Sequence, residues 1–250
     1  MEVYKNLVVN IPHSSMFIPT AFRPLFYLEA DKLNKELLKT TDLYTDELFQ
    51  SAARTLVFPV TRLICDVERF RNEKDEIMSK FGMWICYTRT SEQKKLKRVD
   101  VKHKREILRN YYDAYHAMLT QTVEEKLQTQ GGCLIIDGHS FPTENLFYKN
   151  LVMPELPEIC IGTDDFHTPA QLADFTYAYF RDQGLKVMFN KPYAGAIVPL
   201  AQYHKEKAVH STMIEVNRSL YMDELTGRKK RDFVWVKAML SEYLRKVSEL

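Results

Sequence analysis

The chain has 250 residues, 45% hydrophobic and 27% charged, which is enough apolar content and length to bury roughly 70% of its extended surface and too much for a disordered sequence. A net charge of +2 from 35 basic and 33 acidic residues excludes a surface-wide electrostatic footprint for nucleic acid, and 8 glycines exclude collagen-like sequence. The apolar run Leu7 to Val9 is too short for a signal-peptide core, and nothing approaches the ~20 apolar residues that span a bilayer, so a soluble cytoplasmic protein is expected.

Strands are predicted at Leu7–Pro12, Thr55–Val60, Leu63–Val67, Cys133–Asp137, Ile159–Gly162, Lys186–Phe189 and Thr212–Val216. Between them, Asp31 to Ala53 reads as one or two helices. His103 to Leu127 reads as a long one, with Ile107, Tyr111, Tyr115 and Leu119 along one face. Thr168-Pro169 and Gly184 bracket a further helix, and the last runs from Asp232 to Val247. Ser91–Arg105 reads as a solvated, charged loop entering the long helix. Without a linker, repeat or composition break, residues 1–250 are expected to form one α/β domain with a mixed, largely parallel sheet. The cysteines Cys65, Cys86, Cys133 and Cys160 lack CxxC spacing and read as buried free thiols.

In such folds reactive groups collect past the carboxyl ends of strands. One strand ends in His13-Ser14-Ser15 and another in Asp137-Gly138-His139-Ser140. The pair suits a divalent metal, zinc by its imidazole and carboxylate donors, although either histidine alone also reads as structural. Asp42 and Asp46 stand i,i+4 and are both candidates for the third ligand, Asp42 being equally a helix cap. In the predicted strand Leu63–Val67, alternation places Arg62, Ile64 and Asp66 on one side, and Arg62 and Arg69 bracket it. Glu215 sits inside an apolar strand and is either paired with an arginine or an acid/base group. Asn190 and Tyr193, in Asn190-Lys191-Pro192-Tyr193-Ala194-Gly195, form a turn that can line a pocket. No G-x-S-x-G, Walker A, G-x-G-x-x-G or H-E-x-x-H pattern is present, which disfavours serine-hydrolase and nucleotide-dependent chemistry.

Taken in order, Ile11–Ser15, Asp42-x3-Asp46-Glu47-Leu48, Thr61–Arg69, Asp137–Ser140, Gly162–Asp164, Asn190–Gly195 and Glu215–Met222 resemble the N-formylglutamate amidohydrolase family over residues 8 to 222. The resemblance implies the three-layer αβα phosphorylase/hydrolase-like fold shared with zinc exopeptidases and aspartoacylases, and a metal that activates water against an amide. By that likeness His13 and His139 hold the metal with Asp46 or Asp42. Glu215 is the catalytic base, Arg62 stabilises the oxyanion, and Arg69 clamps a substrate carboxylate, with Ser140, Asn190 and Tyr193 lining the pocket. Met16 stands where the exopeptidase relatives carry a ligating Glu. Glu68 stands where the family has Asn and is expected to repel an acidic substrate unless it points away. The implied function is metal-dependent hydrolysis of an N-acyl amino acid such as N-formylglutamate. The partner is a small-molecule substrate, with neither nucleic acid nor membrane. A metallo-exopeptidase or deacylase with a larger substrate, and a non-catalytic, metal-free small-molecule binder of the same fold, are the alternatives.

Overall fold

The computed structural model describes residues 4–144 and 155–250. Its centre is a six-stranded sheet of β1 (Leu7–Ile11), β2 (Arg54–Val57), β3 (Cys133–Phe141), β4 (Ile159–Gly162), β5 (Val187–Phe189) and β6 (Val209–Asn217), in the order β2-β1-β3-β6-β4-β5. The first four in that order run parallel, and β4 turns the direction by pairing antiparallel with β6 and parallel with β5. The sheet is therefore mixed and largely parallel, as the sequence pattern predicts.

Helices α1 (Ala30–Thr40), α2 (Thr45–Leu48), α3 (Val101–Ile107), α4 (Ala114–Gln130), α5 (Ala170–Asp182) and α6 (Phe233–Val247) complete the α/β fold on both faces of the sheet. Alternation along β1 decides the layers. Leu7, Val9 and Ile11 pack with α5 and α6 through Leu172, Phe180, Val236 and Leu240, whereas Val8 packs on the other face with Leu119 and Val123 of α4. A third apolar cluster, around Phe58, Leu63, Ile64, Tyr87 and Tyr115, supports the loops that follow β2.

One predicted strand is absent for a physical reason. Leu63–Val67 is no strand: Ile64 and Cys65 donate to the Thr61 carbonyl, so the segment is a coiled turn whose apolar residues are all buried. A short, wholly apolar run carries no period that separates turn, strand and helix. The stretch 31–53 holds two helices, one of the two readings left open: α1 ends at Thr40, and Tyr44 adopts φ 71° before α2. The long helix exists, but a π segment at Leu108–Asp113 separates α3 from α4. Within the predicted charged loop, Leu96 and Lys97 are buried. All four cysteines are free and buried. No helix among the described residues is long and apolar enough to cross a membrane.

Candidate active site

The carboxyl ends of β1, β3 and β6 meet at one place, as expected for a sheet of parallel neighbours. His13 lies two residues beyond β1, Asp137, His139 and Ser140 close β3, and Glu215 of β6 is the register partner of His139. Gly138 lets this happen, since a Cβ there would stand 2.6 Å from Ile11 Cδ1 and 2.9 Å from Phe49 Cδ2. A cavity of about 450 Å³ opens over these strand ends, lined also by Asp42, Arg62, Glu68, Arg69, Tyr193 and Arg218.

Two carboxylates fix the imidazoles. His13 Nε2 is 2.9 Å from Asp66 Oδ1 and His139 Nδ1 is 3.1 Å from Asp42 Oδ2. The remaining nitrogens, His13 Nδ1 and His139 Nε2, are buried and make no hydrogen bond. Both face the Oε2 of Glu68, at 3.9 and 3.1 Å. The ligand atoms of His13, Glu68 and His139 lie within 4.8 Å of one another. Zinc bonds of ~2.0–2.2 Å in a tetrahedron ask for ligand atoms roughly 3.4 Å apart, so the three fit a divalent metal. A carboxylate behind each ring fixes its tautomer and orientation, as metal-ligating histidines require.

The charges around this centre are strongly coupled. Burial works against ionisation of Asp66, yet Arg62, Arg69 and His13 hold its carboxyl well below the usual range. Burial opposes Asp42 likewise, and His13, His139 and Arg218 more than offset it. Glu68 is held down to about 2 against burial, chiefly by His139. Asp137 is pushed up to about 6 by burial and by Glu68, although Asn10 donates to it at 2.8 Å. Burial lowers both histidines, but the surrounding carboxylates win and raise them. A cation bound between the imidazoles would therefore compete with protons there.

Glu215 differs from all of these. Burial, with Asp42 adding to it, pushes its carboxyl up to about 8 despite His139, Arg218 and Arg62. Its Oε2 is buried and has no hydrogen-bond partner.

The family model of N-formylglutamate amidohydrolase matches residues 5–222. The chain belongs to this family. The structure is similar to the crystal structure of N-formylglutamate amidohydrolase from Ralstonia eutropha JMP134, with TM-score 0.85 and 23% identity over 98% of this chain and 93% of that one. It is also similar to a gene product of Agrobacterium tumefaciens, with TM-score 0.66 and 19% identity over 99% and 89% of the two chains. These likenesses show the fold. Among curated proteins nothing matches. Membership makes the protein an amidohydrolase.

In this N-formylglutamate amidohydrolase family member the cavity brings together His13, His139, Asp42, Arg62, Arg69, Ser140, Tyr193 and Glu215 of the residues expected from sequence. Asp46 is not among them. It is exposed on α2, and the break at Tyr44 means that Asp42 and Asp46 never share a helical face. Asp42 is no helix cap either, because its carboxylate is taken by His139 and by Arg218 Nη2 at 2.9 Å. Asn190 stands outside the cavity and braces a turn, donating to Thr163 Oγ1 at 2.8 Å and accepting from Thr163 N at 2.9 Å. Glu68 does not point away: it lines the cavity and faces the two histidines. Ser140 is held by the hydroxyl of Tyr221 at 2.8 Å and Arg218 Nε at 3.3 Å.

Arg62 and Arg69 do not flank a strand. They converge on Asp66, with Arg62 Nη2 at 2.8 Å and Arg69 Nε at 3.2 Å. The residues that sequence reasoning passed over are Glu68 as a candidate metal ligand, Asp66 as the partner that orients His13, Arg218 and Asn10. The signal for Asn10 was present: a polar side chain inside the apolar run of β1 needs partners, and it finds Tyr115, Asp137 and Glu68.

Proposed function

We propose that the protein hydrolyses the amide of an N-acyl amino acid, N-formylglutamate or a similarly small carboxylate, and depends on a divalent metal, zinc by the donor set. His13 Nδ1, His139 Nε2 and Glu68 hold it. The observation that carries the reading is the pair of buried imidazole nitrogens without hydrogen bonds that face one carboxylate oxygen. Bound there, zinc supplies Lewis acidity, acidifying water and polarising a carbonyl oxygen.

The chain's own residues supply the rest. Glu215, with a carboxyl titrating at about 8 and an unpartnered Oε2 in the cavity, is poised to take a proton from water and return it to the leaving amine near neutrality. Arg62 is bonded to Asp66 through Nε and Nη2, which holds its guanidinium rigid and leaves Nη1 as a donor for a developing oxyanion. Arg69, on Tyr87 and beside Asp66, offers the bidentate edge that a substrate carboxylate fits. Arg218 is spent on Asp42, Ser140 and the Lys39 carbonyl and acts as a brace.

The test is metal content of protein purified without chelator, with hydrolysis of N-formylglutamate and N-acetylglutamate measured before and after zinc is removed and restored. About one equivalent of metal and activity that follows it support the reading. Metal-free protein that binds acyl amino acids without cleaving them places the chain among binders instead.

A further inference from the structure

Asn10 is wholly buried between Val9 and Ile11 of β1, and its amide is shared among three polar groups. Nδ2 donates to Asp137 Oδ1 at 2.8 Å and, over a longer 3.4 Å, to Glu68 Oε1. Oδ1 accepts from the Tyr115 hydroxyl at 2.5 Å. Ionised carboxylates only accept, so both need the NH2 end, and a hydroxyl that donates to the oxygen end fixes which way the amide lies. Glu68 is thus held by one oxygen while the other, Oε2, faces His13 and His139.

Tyr115 belongs to a helical face aimed at the same turn, for Tyr112, Tyr115 and His116 stand at i, i+3 and i+4. The Tyr112 hydroxyl donates to the Arg69 carbonyl and His116 Nε2 to the Val67 carbonyl, each at 2.7 Å. The carbonyls on either side of Glu68 are therefore held from the helix, and its carboxylate through Asn10. Ring contacts fix the tips, Tyr115 edge-on to Phe58 at 5.2 Å and His116 on Tyr112 at 4.3 Å. Neither Asn10 nor Tyr115 lines the cavity over the strand ends.

We propose that Asn10 and Tyr115 are positioning residues for the metal: the Tyr115 hydroxyl orients the Asn10 amide, and the amide aims the Glu68 carboxylate at the two imidazoles. The inference rests on the metal-dependent reading above and extends it to side chains that stand behind the ligands. The same amide serves His139, since Asp137 Oδ1 lies 3.2 Å from His139 Nε2 and a hydrogen bond from Asn10 to that oxygen weakens its pull on the ring. Tyr115→Phe keeps the ring and its packing but lets the amide turn end for end, which presents an oxygen to the two carboxylates.

The test is zinc affinity by competition with a chromophoric chelator, with the melting temperature of the metal-free protein measured alongside, for wild type, Tyr115→Phe, Asn10→Leu and Tyr243→Phe. Tyr243 is the structural comparison, because its buried hydroxyl also makes one hydrogen bond, at 3.0 Å to Thr176 Oγ1 between α5 and α6. Tyr115→Phe is expected to weaken zinc binding at least ~10-fold and Asn10→Leu up to ~100-fold, the range that loss of a group behind a metal ligand costs. Tyr243→Phe is expected to lower the melting temperature and leave zinc affinity unchanged. If Asn10→Leu does not fold, Tyr115→Phe decides alone. A smaller loss in Tyr115→Phe, or an equal one in Tyr243→Phe, overturns this proposal and leaves the metal reading standing. Wild type that binds no zinc overturns both.

Discussion

At the residue scale, carboxylates of one chemical type do three different jobs within a few ångströms, and substitution separates them. Glu68→Gln keeps the shape and removes a ligating charge, so bound zinc is expected to fall by more than the ~10–100-fold that loss of a carboxylate behind a ligand costs. Asp42→Asn is that second case, because Asp42 orients His139 and anchors Arg218 from behind the histidine, and a loss of ~10–100-fold is expected. Asp46→Ala, exposed on α2, is expected to leave the affinity where it is. Competition with a chromophoric chelator ranks the three, and equal losses at Asp42 and Glu68 would remove the distinction. Glu215→Gln is expected to keep zinc and lower kcat by ~100-fold or more, the usual scale of acid–base help. A melting temperature that drops while kcat holds would instead make Glu215 a structural partner. Sequence made His13, His139 and Glu215 legible, because two histidines in matching places at strand ends, and a carboxylate inside an apolar strand, are anomalous. Glu68 was hidden, since it lies one residue beyond a segment taken for a strand, and nothing in spacing says that a turn brings it to His139.

At the scale of elements, the turn that carries Arg62, Asp66, Glu68 and Arg69 is held by a buried lysine rather than by a ladder. Lys97 donates to the Leu63 and Tyr87 carbonyls, and burial brings its amine down to about 8. The unfolded chain keeps the ordinary value near 10.5. Between pH 8 and 10.5 the unfolded state therefore binds more protons, so this group's contribution to stability rises with pH, by roughly 1.4 kcal/mol for each unit of difference traversed. A neutral amine still has two N–H donors for two carbonyls. Lys97→Met loses both bonds and the titration, so it is expected to be less stable by about 1–3 kcal/mol per orphaned carbonyl. The gap in melting temperature from wild type is expected to widen from pH 7.5 to 9.5, and a constant gap would rule out a depressed Lys97. Here sequence misled for a definite reason. A lysine in a charged run, Lys94-Lys95-Leu96-Lys97-Arg98, reads as solvated, and only tertiary contact shows which of the lysines is needed beneath a turn. The central strands β1, β3 and β4, by contrast, were readable because they are buried on both faces and largely apolar, whereas the edge strands β2 and β5 are partly exposed.

At the scale of the whole molecule, β1, β3 and β6 are long, parallel and adjacent, and they end in a centre that concentrates Asp42, Asp66, Glu68 and Asp137 around two histidines. Such a cluster is stable only while its charges are matched, by Arg62, Arg69, Arg218 and imidazolium or by a cation. A metal that binds only the folded chain adds ~2.7 kcal/mol of stability at a concentration one hundred times its dissociation constant. For a chain of this size each kilocalorie moves the melting temperature by about 2–4 °C, so zinc at that excess is expected to raise it by roughly 5–11 °C over chelator-treated protein. The shift should grow with the logarithm of free zinc and weaken as pH falls, because both histidines must give up the protons that their carboxylate neighbours favour. Glu68→Gln and His139→Ala are expected to melt at one temperature with or without zinc. Because the ligands stand on β3, on the loop after β1 and on the turn of Lys97, binding ties three separate parts of the chain together. Hydrogen exchange should accordingly slow in all three on addition of zinc, and slowing confined to the β3 end would mean that zinc is held elsewhere.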